Sequence, residues 1–123
     1  MQLSLDKGDA TYQIQAYRDG YVLVNGQKYF ESIVIMPEHL ITSWGPTSLE
    51  LLTQEDFNVL LAIQPELVLL GTGKQLQFPA KNLYAILTKH KIGVEVMDTA
   101  AACRTYTLLA TEGRKVAAAL LLI

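Results

Sequence analysis

One stretch of the chain passes from the pattern of a strand into the pattern of a helix without a break. In residues 92–99, valines alternate with Glu95 and Met97, which is the two-residue period of a pleated strand. An alanine-rich run follows in residues 100–106, and Asp98 can accept hydrogen bonds from the first free N–H groups of a helix there. Open α/β sheets place ligands at such junctions. The junction therefore predicts an α/β fold, but no catalytic motif accompanies it.

Short strands and tight turns fill the first part of the sequence. Alternation in residues 12–17 and 21–24, separated by Arg-Asp-Gly, predicts a hairpin. An Asn-Gly turn then leads into a longer strand at residues 28–36, which Pro37 ends. Three consecutive antiparallel strands are therefore expected, and a short extended run follows at residues 39–44.

Helices and strands alternate in the second part. Helical spacing of apolar residues predicts helices that begin at Thr53, at Pro79 and at Thr99. Between and after them, residues 66–70 and 116–123 are almost continuously apolar, the pattern of strands covered on both faces. Alanine and leucine propensity would also allow a helix in the second run, but its shortness favours a strand. This order predicts a largely parallel core sheet.

The composition limits the class of protein. A chain of 123 residues is long enough for one domain with a real core, so residues 1–123 are interpreted as a single domain. Its charged share of 18% is well below the roughly 25% of ordinary soluble domains. The formal net charge of −2 lacks the clustered cations that nucleic acid requires, so no nucleic-acid partner is expected.

Three features concern the cellular compartment. Cys103 is the single cysteine, which excludes an intrachain disulfide and suits a reducing compartment. The N-terminal residues do not follow the pattern of a secretory signal. The most apolar segment, residues 116–123, is far shorter than the roughly 20 residues that span a bilayer as a helix. A cytoplasmic protein without a membrane span is therefore expected.

Three segments carry a resemblance to a known family. They are residues 16–26, residues 67–73, and residues 93–99 followed by the Arg-Thr-Tyr of residues 104–106. In this order and spacing the chain resembles the small single-domain family of unknown function four-nine-eight, also called the MTH-nine-three-eight-like family. The resemblance implies a three-layer α/β fold with a mixed central sheet, helices and an additional N-terminal β layer. Because similar eukaryotic proteins include a mitochondrial assembly factor for respiratory complex I, it also implies an assembly or scaffolding role.

The ends of two predicted strands form the candidate ligand site. If these strands are parallel neighbours, the Gly-Thr-Gly loop and the Asp-Thr pair that follow them lie at the same edge of the sheet and could flank one cleft. Glycines let backbone N–H groups approach a ligand, and a helix N-terminus favours an anion. Arg104 could pair with a carboxylate or phosphate, or form a solvated or internal salt bridge, for example with Glu95. The alternative is a tight turn and an ordinary capped helix. The candidate ligand-binding residues are Gly71, Thr72, Gly73, Asp98, Thr99 and Arg104.

Aromatic residues form the candidate protein-binding surface. Trp44, which ends an extended run, could anchor a partner or plug the edge of the core. Tyrosines cluster on the N-terminal hairpin layer, where Tyr17 and Tyr21 could face outward as a binding surface or a dimer contact. Cross-strand aromatic packing is the alternative for the tyrosines.

No residue is assigned to catalysis, to a metal or to a cofactor. Cys103 could act as a nucleophile only with a base and a lowered pKa, and a buried small apolar residue is the alternative. His39 and His90 belong to different predicted elements, so neither a metal pair nor a Cys-His dyad is indicated.

Two functional hypotheses result. The first is a non-catalytic protein-binding module that acts as an assembly or accessory factor, as a monomer or homodimer, with a protein partner that the sequence does not identify. The alternative is a small-molecule or anion-binding protein, or an enzyme of unknown class, that uses the cleft at Gly71–Gly73 and Asp98–Thr99.

Overall fold

The computed structural model describes residues 11–123 and contains two sheets and three α-helices. The smaller sheet consists of β1 (Ile14–Arg18), β2 (Tyr21–Val24) and β3 (Gln27–Tyr29). The larger sheet consists of β4 (Ile33–Met36), β5 (His39–Ile41), β6 (Leu67–Gly71), β7 (Gly93–Met97) and β8 (Val116–Leu120). The helices are α1 (Asn58–Ile63), α2 (Ala85–Lys89) and α3 (Thr99–Thr111).

The larger sheet is mixed, with the strand order β5-β4-β8-β6-β7. Its strand β6 is parallel to both β7 and β8, which confirms the predicted parallel core. The antiparallel strands β4 and β5 complete it on the other side of β8. Every residue of β8 is buried, as expected for a central strand with apolar side chains on both faces.

The larger sheet lies between two apolar layers. On one face, Val34 and Val68 pack in a core with Phe57, Leu60 and Leu87 from the α1 and α2 regions. On the other face lie the smaller sheet and α3, whose core residues include Val22, Val24, Ala102 and Tyr106. Alternate side chains of β4 point to opposite faces, since Val34 belongs to the first core and Ile33 and Ile35 to the second. These layers confirm the three-layer α/β fold with an additional N-terminal β layer.

The prediction of one long strand at residues 28–36 is wrong, although the three antiparallel strands β1, β2 and β3 are confirmed. The run divides into β3 and β4, which belong to different sheets. Between them the buried Ser32 accepts a hydrogen bond at Oγ from the backbone N–H of Leu122 at 3.0 Å. Its carbonyl accepts another from the N–H of Trp44 at 2.7 Å. The chain changes sheets here because β4 pairs with β8.

The two shorter helices begin as 3-10 turns, at Gln54–Phe57 and at Lys81–Tyr84, before continuing as α1 and α2. The carboxylate of Asp56 accepts a hydrogen bond from the N–H of Thr53 at 2.8 Å and so stabilises the first turn. Among the helices of residues 11–123, none has both the length and the apolar character needed to cross a membrane.

Candidate functional site

The carboxyl ends of β6 and β7 meet the N-terminus of α3, as predicted. Leu70 lies opposite Val96 in the parallel register. The N–H of Thr72 donates to the carbonyl of Met97 at 2.9 Å, and the N–H of Thr99 donates to the carbonyl of Gly73 at 2.9 Å. The Gly-Thr-Gly loop and the start of α3 are therefore joined directly, and we call residues 71–73 with Asp98 and Thr99 the strand-helix junction.

The polar groups of this junction bond to one another. Thr99 is fully buried, and its hydroxyl accepts from the N–H of Gly73 at 2.8 Å and donates to the carbonyl of Leu121 at 2.8 Å. The carboxylate of Asp98 accepts from the N–H of Ala101 at 2.8 Å, which is the predicted N-terminal cap of α3. These groups hold three segments of the chain together instead of pointing into a cleft.

The residues of the Gly-Thr-Gly loop also make their contacts within the chain. A Cβ atom added to Gly71 would lie 3.0 Å from the Cα atom of Thr99, so glycine allows α3 to pack directly on β6. The hydroxyl of Thr72 donates to the carbonyl of Gln75 at 2.7 Å and accepts from the N–H of Gln77 at 3.2 Å. These contacts favour the alternative of a tight turn and a capped helix. The ligand-binding role of the junction stays a prediction.

Arg104 lies outside this junction, on the exposed side of α3. It lines a groove of about 440 Å³ between β1 and α3, together with Tyr17, Arg18 and Cys103. None of the residues from Gly71 to Gly73 lines this groove. Within residues 11–123 Arg104 forms no ion pair, so the alternative of a salt bridge with Glu95 is not formed.

Trp44 is buried, with 4% of its surface exposed. Its indole N–H donates to the carbonyl of Asp56 at 2.8 Å, and its ring packs edge-on against Phe57 with a centroid distance of 6.2 Å. The residue therefore plugs the edge of the core, which is the alternative that the sequence left open. The large apolar ring gains more by packing against Phe57 than by facing water, and a role of Trp44 in binding a protein stays a prediction.

Tyr17 and Tyr21 are both half-buried on the smaller sheet. Tyr17 lines the groove, and its burial raises the pKa of its phenol above the ordinary value. Tyr21 lies 5.8 Å from the ring of Phe30, and the ammonium of Lys28 sits 4.8 Å from the Tyr21 ring centroid. Phe30 itself is 66% exposed. This exposed aromatic residue is not predictable from the local pattern, because Phe30 lies within the β-forming run 28–36.

A buried tyrosine connects α3 to the start of the smaller sheet. The hydroxyl of Tyr106 donates to the carbonyl of Tyr12 at 2.8 Å, and burial raises the pKa of this phenol well above its ordinary value. The position of Tyr106 in an amphipathic helix indicates a core residue. Its hydrogen-bond partner is a backbone carbonyl far away in the sequence, and no nearby residue in the sequence predicts that pairing.

Cys103 lies at the bottom of the groove with 5% of its surface exposed. Burial raises the pKa of its thiol to about 12, which disfavours the thiolate that a nucleophile needs. This environment is that of a small apolar residue. Within residues 11–123 no group of three or more His, Cys, Asp and Glu side chains could hold a metal ion.

We predict that the folded protein resists thiol reagents. At pH 8 the raised pKa leaves little thiolate, so reaction of Cys103 with Ellman's reagent should be at least about 100-fold slower than in urea. The unfolded thiol loses its proton near its ordinary pKa, whereas the folded thiol keeps it until about 12. The contribution of Cys103 to stability should therefore be complete below the unfolded pKa and be lost as the pH rises toward 12. Equal reaction rates with and without urea would contradict the buried thiol.

The mixed sheet is covered by two helices on one face and by α3 with the three-stranded sheet on the other. These layers define a three-layer α/β protein. The chain belongs to the family described as a protein of unknown function (DUF498/DUF598), whose model matches residues 14–121. This confirms the family resemblance that the sequence segments indicated.

Relatives and solved structures agree with this assignment. The chain is 31% identical to the NADH dehydrogenase [ubiquinone] 1 alpha subcomplex assembly factor 3 of Bos taurus over 88% of its own length and 59% of that protein. The chain thus spans about three fifths of the length of that relative. A Xanthomonas campestris protein is 38% identical over 99% of this chain and 92% of its own, with a TM-score of 0.83. A Bordetella pertussis protein described as a Mth938-like domain is 30% identical over 98% of this chain and 92% of its own, with a TM-score of 0.79.

Proposed function

We propose that the chain is a non-catalytic protein-binding module that acts as an assembly or accessory factor. The observation that carries the proposal is its 31% identity, over 88% of the chain, to a protein named as an assembly factor. A protein that assists assembly acts by holding another protein, so its partner in this proposal is a protein. A cytoplasmic location, which the single cysteine favours, stays a prediction.

The geometry supports this function better than the binding of a small molecule at the strand-helix junction. The hydroxyl of Thr99 and the carboxylate of Asp98 are used in hydrogen bonds within the chain. Exposed groups that suit a protein partner lie elsewhere, at Phe30 directly after β3 and at Arg18 and Arg104 beside the groove. Aromatic and arginine side chains are the residues that most often dominate binding between proteins.

Affinity capture from the cells that make the protein tests this proposal. The tagged chain is isolated at low salt, and mass spectrometry identifies both the proteins and the small molecules that it retains. A second tagged chain carries Thr99→Val, which removes a buried hydroxyl and lowers the stability of the fold, so proteins that bind unfolded chains are retained more by this variant. We expect a protein that the unaltered chain retains at least as well as the variant does. A retained metabolite without any protein would overturn the proposal.

A further inference from the structure

A continuous groove runs between β1 and α3. It consists of the cavity of about 440 Å³ already described and a second cavity of about 200 Å³ beside Tyr12 and Tyr106. Both cavities are lined by Ile14 and Thr107, so they join at these two residues. The bond from Tyr106 to the carbonyl of Tyr12 ties the two walls together at one end. We call the joined cavities the β1-α3 groove.

One wall of this groove is the edge of a strand rather than its face. Every residue of β1, from Ile14 to Arg18, lines the larger cavity. Side chains alternate between the two faces of a regular strand, so a groove along one face would not be lined by all three residues of the regularly paired segment 16–18. Among residues 11–123, β1 is an outer strand of the smaller sheet and pairs with β2 alone. Its free edge therefore borders the groove, and such an edge offers unpaired N–H and C=O groups to another chain.

The charge of the groove has a single sign. Among the described residues that line the two cavities, Arg18 and Arg104 alone are charged. Both are exposed, and neither forms an ion pair within residues 11–123. The guanidinium of Arg18 donates to the neighbouring carbonyl of Tyr17 at 3.1 Å, and it carries further N–H groups that can donate to a ligand. The groove thus presents two cations on the two walls beside an apolar Ile14.

We propose that the β1-α3 groove binds an extended segment of a partner protein, which pairs with the free edge of β1 and places an acidic side chain beside Arg18 and Arg104. Strand addition supplies main-chain hydrogen bonds, and side-chain contacts supply specificity. Arginine binds a carboxylate in a bidentate manner, which fixes the position of the acidic residue. The inference rests on the proposed function, because it names the surface and the partner chemistry of the same module.

A library of short random peptides displayed on phage serves as the probe, selected on the immobilised full chain. We expect the enriched peptides to carry Asp or Glu, and fluorescence anisotropy to show saturable binding of their synthetic copies. In NMR spectra, those peptides should shift the amide signals of residues 14–18 and 100–107. Arg104→Glu should weaken the acidic peptides at least about tenfold, which corresponds to about 1.4 kcal/mol. Selection on that variant should enrich Lys or Arg instead.

Lys115→Glu is the matched control, because it makes the same change of charge at an exposed residue that lines neither cavity. It should leave peptide affinity within about twofold. The groove proposal is overturned if no peptide is enriched, if enriched peptides lack acidic residues, or if their NMR shifts lie elsewhere. It is also overturned if light scattering shows a dimer that Arg104→Glu dissociates, since a second copy would then occupy the groove.

Separate results would overturn the protein-binding function and the groove as its docking site. If the Arg18→Glu and Arg104→Glu chains capture the same protein as the unaltered chain does, the protein-binding function stands and the groove is not its docking site. If the unaltered chain captures no protein, the function itself fails. Circular dichroism confirms that the variants fold, as expected for substitutions of exposed side chains.

Discussion

Thr99→Val is expected to lower the free energy of unfolding by about 3 kcal/mol. The substitution keeps the shape of the side chain but removes the hydroxyl that accepts from the N–H of Gly73 and donates to the carbonyl of Leu121. Both partners then stay buried without a hydrogen bond, and each such group costs about 1–3 kcal/mol. Urea unfolding followed by circular dichroism measures the change.

Thr107→Val provides the control for this prediction. The residue lies on the same helix, and its hydroxyl donates to the carbonyl of Cys103 at 3.1 Å, but its side chain is exposed to water. A surface change of this kind should alter the free energy of unfolding by no more than about 0.5 kcal/mol. If the two variants lose equal stability, the hydroxyl of Thr99 does not hold the junction.

Gly71→Ala is expected to lower the free energy of unfolding by about 2 kcal/mol, within the range for an overpacked core. The added Cβ would lie 3.0 Å from both the Cα and the Oγ1 atoms of Thr99 and 3.3 Å from the Cβ of Ala102. Because the nearest atoms belong to the backbone and first turn of α3, relief requires the helix to move away from β6. The same urea unfolding measurement applies.

The matched variant is Gly93→Ala, also at a strand position. There the added Cβ would meet only the end of the Leu67 side chain, at 3.2 Å, and that side chain can rotate away. The change in unfolding free energy should stay below about 1 kcal/mol, since alanine also restricts the unfolded chain. A Gly71→Ala protein as stable as Gly93→Ala would show that α3 does not pack tightly on β6.

The strand-helix junction is predictable because its determinants are local. Alternation in β7, the capping carboxylate of Asp98 and the alanine run of α3 are adjacent in the sequence. The parallel neighbours β6 and β7 follow from the alternation of helices and strands. The same local signals cannot show that the hydroxyl of Thr99 donates to the carbonyl of Leu121, which directly follows β8. The hydroxyl that the sequence offers to a ligand therefore forms hydrogen bonds within the fold.

The division of residues 28–36 between two sheets depends on distant pairing. Both halves are rich in β-forming residues, and the turn toward the larger sheet is decided by β8, where Ile33 lies opposite Leu120. Trp44 is a similar case, because its burial depends on the carbonyl of Asp56 and the ring of Phe57. Period and propensity describe a segment but not the partner that it will meet.

The β1-α3 groove escapes sequence analysis for the same reason. The hairpin and α3 are each predictable, yet nothing local indicates that Arg18 and Arg104 will border one groove. The position of Tyr17 on the hairpin predicts a contact residue, and Tyr17 lines this groove. Its role in binding a partner stays a prediction.

The molar ratio of protein retained by the tagged chain distinguishes a protein-binding module from a small-molecule binder. The chain is captured at low salt, and quantitative mass spectrometry compares the amount of each retained protein with the amount of the chain. A protein-binding module predicts one protein in about the same molar amount as the chain. The groove proposal adds that Arg104→Glu reduces this amount. A chain that retains no protein near that amount, or retains only a small molecule, contradicts the account.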